Sequence, residues 1–139
     1  MEYRKLIAIS GMSGLFELVG SKTDGAIVRS LEDNTTKFVS SRQHNFSHIE
    51  SIEIFTIREN VNLVEVFKAM DASTEVIPSE KDPKAILNYF KKVYPEMEFD
   101  RVYASDMKKM ERWFGIIKQN DIAIELPNLS DSEEAITEG

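Results

Sequence analysis

The chain has two histidines, and their spacing is the first feature of the sequence that could bind a metal ion. His44 and His48 stand four residues apart, with Glu50 two residues further on. On a helix the two rings would share one face, as zinc-binding pairs do. The surrounding stretch SSRQHNFSHIE is instead typical of a polar surface loop, in which this spacing fixes no geometry. We therefore predict an exposed loop here, with no bound metal and no other cofactor.

A catalytic nucleophile has an equally weak signal. In SGMSG (Ser10–Gly14), Ser13 is followed by Gly14, the nearest approach in the chain to the nucleophile elbow G-x-S-x-G. The segment precedes a β region and not a helix of an α/β sheet, so we expect a turn hinged at its glycines. The sequence also lacks the glycine-rich phosphate loops G-x-x-x-x-G-K-[ST] and G-x-G-x-x-G. We predict that the protein is not an enzyme.

Basic side chains are frequent in the second half of the chain, with aromatic residues between them. Such interleaving can mark a nucleic-acid contact, and two helices joined by a short link resemble a helix-turn-helix. Neighbouring acids almost cancel this charge, however, and Trp113 falls on one helical stripe with Met110 and Phe114, which favours a place in the core. The basic residues in question are Lys84, Lys91, Lys92, Arg101, Lys108, Lys109, Arg112 and Lys118.

The elements that would position these residues begin with a β region. Short apolar segments separated by turn-forming clusters predict an antiparallel sheet, with a turn at Asp24-Gly25. A helix capped by Asn60 should close it. We therefore expect a small β-barrel, SH3-like or Sm-like in form, with a closing helix, over residues 1–77. The predicted strands are Leu15–Gly20, Ala26–Leu31, Lys37–Ser40 and Ser51–Ile57.

The rest of the chain is predicted to be helical. Asp82 followed by Pro83 is a strong helix start, and Ser105 is a candidate cap for the next helix. These two helices predict a small helix-hairpin domain over residues 78–126, and the whole fold is of the α+β class. Residues 127–139 are polar and acidic, so we expect a disordered tail.

Composition narrows the class of protein. The chain has 139 residues, no cysteine and a net charge of −7. Four acids fall in the predicted tail, which leaves about −3 on the folded part and argues against tight nonspecific binding to nucleic acid. No apolar run approaches the roughly 20 residues that span a bilayer. We expect a cytoplasmic protein that does not bind membranes.

Three segments, SGMSGLFELV, DGAIVRSLED and DRVYASDMKKMERWF, resemble a family of small bacterial proteins that carry a domain of unknown function. The resemblance extends over about residues 5–126, and its most specific parts are SGxxGLF and DRVYxSDxKKxxxW. It implies an N-terminal β domain, a helical C-terminal domain and a bacterial cytosolic setting. It assigns no activity, cofactor or functional residue.

The leading functional hypothesis is a noncatalytic protein-interaction module, with a protein partner or self-association. The alternative is an accessory protein that binds RNA or DNA through the basic faces of the C-terminal helices. The loop before residue 51 would add to either surface. The predicted partner contacts are Arg42, His44, Phe46, Lys91, Lys92, Arg101, Lys108, Lys109 and Arg112.

Overall fold

The computed structural model describes residues 2–126, which form an α+β fold. The predicted tail, residues 127–139, lies outside the described residues. Two short 3₁₀ helices, Tyr3–Lys5 and Ile49–Ser51, complete the regular structure. The strands are β1 (Leu6–Ile9), β2 (Phe16–Lys22), β3 (Gly25–Ser30), β4 (Thr36–Ser40), β5 (Phe46–His48), β6 (Glu53–Ile54) and β7 (Val61–Asn62), and the helices are α1 (Leu63–Ala72), α2 (Pro83–Val93) and α3 (Ala104–Gln119).

The sheet is open, so the prediction of a closed SH3-like or Sm-like barrel is wrong. Five antiparallel strands lie in the order β4-β3-β2-β1-β5, with β4 and β5 at opposite edges. The predicted fourth strand over residues 51–57 does not join them. It is reduced to β6, which pairs with β7 in a separate ribbon, so within residues 2–126 it does not close the five-stranded sheet.

Two strands of the sheet were not predicted, for different physical reasons. In β1, Leu6 and Ile7 are both buried but on opposite faces, so the strand reads as a continuous apolar run without alternation. In β5, Ser47 and His48 are exposed because the strand lies at an edge and pairs only with β1. That strand occupies the stretch predicted to be a loop.

Gly25 has a role other than the predicted one. The hairpin turn is formed by Thr23 and Asp24, and Gly25 is already the first residue of β3, paired with Ser40. A Cβ atom at Gly25 would lie 2.2 Å from the carbonyl oxygen of Val39. Glycine is required here because the two strands approach each other closely, and not because the residue adopts a positive φ.

Side-chain caps fix where the helices begin. Asn62 caps α1 by accepting a hydrogen bond from the N–H of Val64, two residues after the predicted start. Asp82 caps α2 as predicted, through the N–H of Ala85. The third helix begins before the predicted cap Ser105, because the Asp106 carboxylate accepts from the N–H of Tyr103.

One hydrophobic cluster joins the sheet to all three helices. The predicted apolar stripe of α3 lies in it, with Trp113 only partly buried at its margin. The Phe67 ring packs edge-on against Tyr3 and lies 6.1 Å from the Phe114 ring. The cluster thus contains residues from both sides of position 77, and the division of the chain there stays a prediction. A smaller cluster covers the other face of the sheet.

None of the helices formed by residues 2–126 is long and apolar enough to span a membrane.

A buried carboxyl group on α3 makes the stability of the fold depend on pH. Glu111 is 8% exposed, and its Oε2 atom has no hydrogen-bond partner among residues 2–126. Burial, and to a lesser extent the negative charge of Glu80, raises the pKa of Glu111 to about 7. The folded chain therefore favours the protonated form of this side chain.

We expect Glu111→Gln to remove a loss of stability that the native chain suffers as pH rises. The native advantage of neutral Glu111 is complete below the usual pKa of a glutamate, about 4.5, and is lost as pH rises through about 7. Denaturant unfolding from about pH 5 to about pH 8 should show the native chain losing roughly 1–3 kcal/mol relative to the variant. Glu65→Gln, at an exposed position of α1, is the control and should run parallel to the native chain. If the stability of Glu111→Gln varied with pH in parallel with that of the native chain, the raised pKa of Glu111 would be contradicted.

Candidate functional site

A cleft of about 660 Å³ lies between the loop that joins β1 to β2 and one face of α3. Loop residues Ser10–Gly14 form one wall, and Ser105, Lys108 and Arg112 stand on the other. Apolar residues, among them Ile9, also line it. This volume lies within the range of about 300–1,000 Å³ that is typical of small-ligand sites, and we name this space the first cleft.

The loop wall of the first cleft is held by hydrogen bonds to the segment before β5. The N–H of Ser10 donates to the carbonyl of Asn45 at 3.0 Å, and the N–H of Asn45 donates to Ser10 Oγ at 2.8 Å. His44 Nδ1 lies 2.8 Å from the carbonyl oxygen of Ser10. Gly11 and Gly14 both have left-handed backbone conformations, with φ of 78° and 83°. The expected glycine-hinged turn is confirmed.

The helix wall is cationic. Lys108, Lys109 and Arg112 line the first cleft, and none of the other lining residues carries an acidic side chain. Lys108 and Arg112 are one helical turn apart, about 6 Å along the axis. Neither lysine forms an ion pair within residues 2–126, whereas Arg112 lies 4.0 Å from carboxylate oxygens of Glu32 and Glu80. These contacts are long and solvated, and hold Arg112 only weakly.

A second, smaller cleft of about 260 Å³ adjoins the first. Ile52, Lys109 and Trp113 line both, so these side chains separate the two spaces. In this second cleft the guanidinium carbon of Arg101 lies 3.8 Å from the centre of the Phe55 ring, a cation–π contact. Two acids also line it, Glu53 and Asp106, and Asp106 is already engaged by the N–H of Tyr103.

The structure brings four of the predicted contact residues together and separates two others from them. Arg101, Lys108, Lys109 and Arg112 line the two clefts. Lys91 and Lys92, at the end of α2, line neither. The Lys91 ammonium lies over the Phe99 ring, and Lys92 lies 4.0 Å from Glu75.

The predicted contacts in the loop before residue 51 have unlike surroundings. His44 supports the loop wall of the first cleft, as described above. Arg42 is exposed, and Phe46 is partly buried against the smaller core cluster. His48 is exposed on β5, and residues 2–126 contain no group of three or more His, Cys, Asp or Glu side chains that could hold a metal ion.

Sequence reasoning missed the loop Ser10–Gly14 as part of a site, and it assigned Trp113 to the core alone. Trp113 is partly buried: it packs against the main cluster and also lines both clefts. The signal in the loop was two serines, Ser10 and Ser13, each followed directly by a glycine. That pattern shows a turn, but what the turn faces depends on α3, about 90 residues away in the sequence.

Comparison with known families identifies both parts of the chain. Residues 4–48 match the model of a domain of unknown function, DUF5606, and residues 52–117 match a second one, DUF6852. The chain therefore carries two domains of unknown function, and the predicted resemblance to an uncharacterised domain family is confirmed. No curated protein gives a significant match.

The fold is similar to a solution NMR structure of a protein from Bacteroides vulgatus, a structural genomics target. The two sequences are 26% identical, and the TM-score is 0.65. The similarity covers 86% of this chain and 87% of the other, so it includes both the sheet and the helical region.

Phe46→Ala should destabilise the fold, although sequence reasoning placed Phe46 on a contact surface. Its ring packs against a buried cluster, so its removal should lower the free energy of unfolding by about 1–3 kcal/mol. Arg42→Ala, at an exposed position nearby, is the control and should change it by less than about 0.5 kcal/mol. Denaturant unfolding at one pH measures both. An equally small effect of the two substitutions would show that Phe46 packs too loosely to support the sheet.

Proposed function

We propose that the protein is a noncatalytic binding protein and that its first cleft holds a phosphate-bearing ligand. The observation that carries this proposal is the charge of the lining: three cations on one helix face and no acid. Lys and Arg are the side chains that bind phosphate most strongly, Arg through two parallel hydrogen bonds and Lys as a compact charge.

The other side of the first cleft suits the same ligand. Ser10, Ser13 and Ser47 line it together with Asn45, and the hydroxyl and amide groups of these residues can donate hydrogen bonds to phosphate oxygens. Apolar residues, including Ile9, also line the cleft, and a site partly shielded from water strengthens the attraction between a cation and an anion. Specific orientation would come from the serines, and most of the binding free energy from the cations.

The family resemblance also supports the first cleft as the binding site. Its two most specific segments, SGxxGLF and DRVYxSDxKKxxxW, are distant in sequence, and residues of both line the first cleft. A purely structural role for both segments would not require that they face each other across an open space. A shared ligand gives them a common function.

The cytoplasm of a bacterial cell is the setting that we propose for this activity. The chain has no cysteine, which agrees with a reducing compartment, and phosphate-bearing metabolites and nucleic acids are concentrated there. The resemblance to small bacterial proteins supports the same setting.

Self-association is the second candidate function, and one observation favours it. Phe38 is 50% exposed on β4, an edge strand with one row of unpaired backbone groups. Two such edges can pair in antiparallel fashion and cover both rings. If β4 pairs with a second copy, light scattering should show a dimer that Phe38→Lys converts to a monomer. A monomer at every concentration of the native chain would remove this candidate.

The main proposal predicts that inorganic pyrophosphate binds at the first cleft. Backbone amide shifts of Gly11, Gly14 and Lys108 and the indole N–H shift of Trp113 should move on titration, followed by NMR. Lys108→Ala should weaken binding about 5- to 20-fold, since a charge-assisted contact contributes about 1.5–3 kcal/mol and an exposed site less.

Lys84→Ala is the matched control, because Lys84 is an exposed lysine on α2 that lines neither cleft. It should leave the affinity unchanged while removing the same charge. Equal weakening by the two substitutions would mean that pyrophosphate responds only to the overall charge. If the resonances of residues that line the first cleft did not shift at high pyrophosphate concentration, the proposal would be excluded.

A further inference from the structure

We infer that the ligand is a single-stranded nucleic acid, with a phosphate in the first cleft and a base in the second. This inference rests on the proposed function, because it assumes that the first cleft binds phosphate. It adds a role for the second cleft, which the charge argument alone leaves unused.

The lining of the second cleft suits a flat, uncharged group. Phe55 and Trp113 supply aromatic surface, and the Arg101 guanidinium is itself a planar group already lying over Phe55. Its two acids offset the charges of Arg101 and Lys109, so this space has little net attraction for an anion. A nucleobase stacks on aromatic rings and on guanidinium planes, and it carries no charge of its own.

The side chains between the clefts connect the two kinds of contact. Lys109 and Trp113 line both spaces, so one residue offers charge and the other a ring at the boundary. A nucleotide has the same arrangement, with an anionic phosphate joined through a sugar to an aromatic base. Lys108 and Arg112 extend the cationic wall along α3, where they can meet the phosphates of neighbouring nucleotides.

The shape of the site favours a single strand over a duplex. Proteins that read duplex DNA with a helix insert a projecting helix into the major groove. Here the cationic face of α3 is the wall of a recess, with the Ser10–Gly14 loop opposite it. A duplex cannot enter such a recess, and its bases are stacked on one another, whereas a single strand can turn a base into the second cleft.

The test compares three probes on the full chain: inorganic pyrophosphate, thymidine monophosphate and a single-stranded oligothymidylate of about eight nucleotides, a typical site size. Affinity should rise in that order, with the oligonucleotide binding at least about 30-fold more tightly than pyrophosphate and losing affinity steeply with salt. Arg101→Ala should weaken oligonucleotide binding about 5- to 10-fold and leave pyrophosphate binding unchanged. Arg101→Lys keeps the positive charge but removes the planar group, and it should weaken oligonucleotide binding nearly as much as Arg101→Ala does.

Several results would overturn the inference while leaving the proposed function intact. One is pyrophosphate binding at the first cleft with no gain for the oligonucleotide, and another is equal weakening of both probes by Arg101→Ala. Tighter binding of an acidic peptide of the same net charge than of the oligonucleotide would assign the site to a protein partner. If pyrophosphate itself fails to bind the first cleft, the proposed function fails first, and the inference fails with it.

Discussion

The packing of α3 against α1 and the N-terminal segment is the interaction on which the rest of the structure depends. The rings of Phe67 and Phe114 meet in the main core, and Tyr3 packs edge-on against Phe67. At the surface, the Lys118 ammonium contacts Asp71 at 2.7 Å. Because these contacts fix one face of α3, they also fix the direction of the opposite face, which carries the cations of the first cleft. The packing of the core thus determines the direction in which the cationic face of α3 points.

Local patterns in the sequence predicted much of the fold. The three strands that became β2, β3 and β4 alternate or are bounded by turns, and Asp82-Pro83 marks the start of α2 without ambiguity. What local patterns could not predict was pairing. The closed barrel failed because the pairing of β5 with β1 and of β6 with β7 depends on contacts between distant residues. Residues 51–57 do alternate between exposed and less exposed positions, but alternating burial does not determine which sheet a strand joins.

The site was half predicted, for a related reason. Lys108, Lys109 and Arg112 were identified by charge, which is visible in any sequence, and their grouping followed from helical spacing. Lys91 and Lys92 looked identical by that criterion, and only their position at the end of α2 separates them from the clefts. The Ser10–Gly14 wall carries no charge, so nothing in its composition distinguished it from an ordinary turn. The overall charge of −7 also gave no indication of a local cationic surface. Net charge sums over the whole chain, whereas a cleft is lined by only a few charged residues.

The absence of a side chain at Gly14 determines where the Glu32 carboxylate lies next to the loop Ser10–Gly14. A Cβ atom there would overlap the carboxylate of Glu32, which now lies beside the loop and within 4.0 Å of Arg112. The glycine therefore leaves the space that this carboxylate occupies next to the loop. A phosphate that binds the first cleft as proposed would approach a guanidinium that already has the carboxylates of Glu32 and Glu80 near it. Because those contacts are long and solvated, the phosphate would displace little existing attraction.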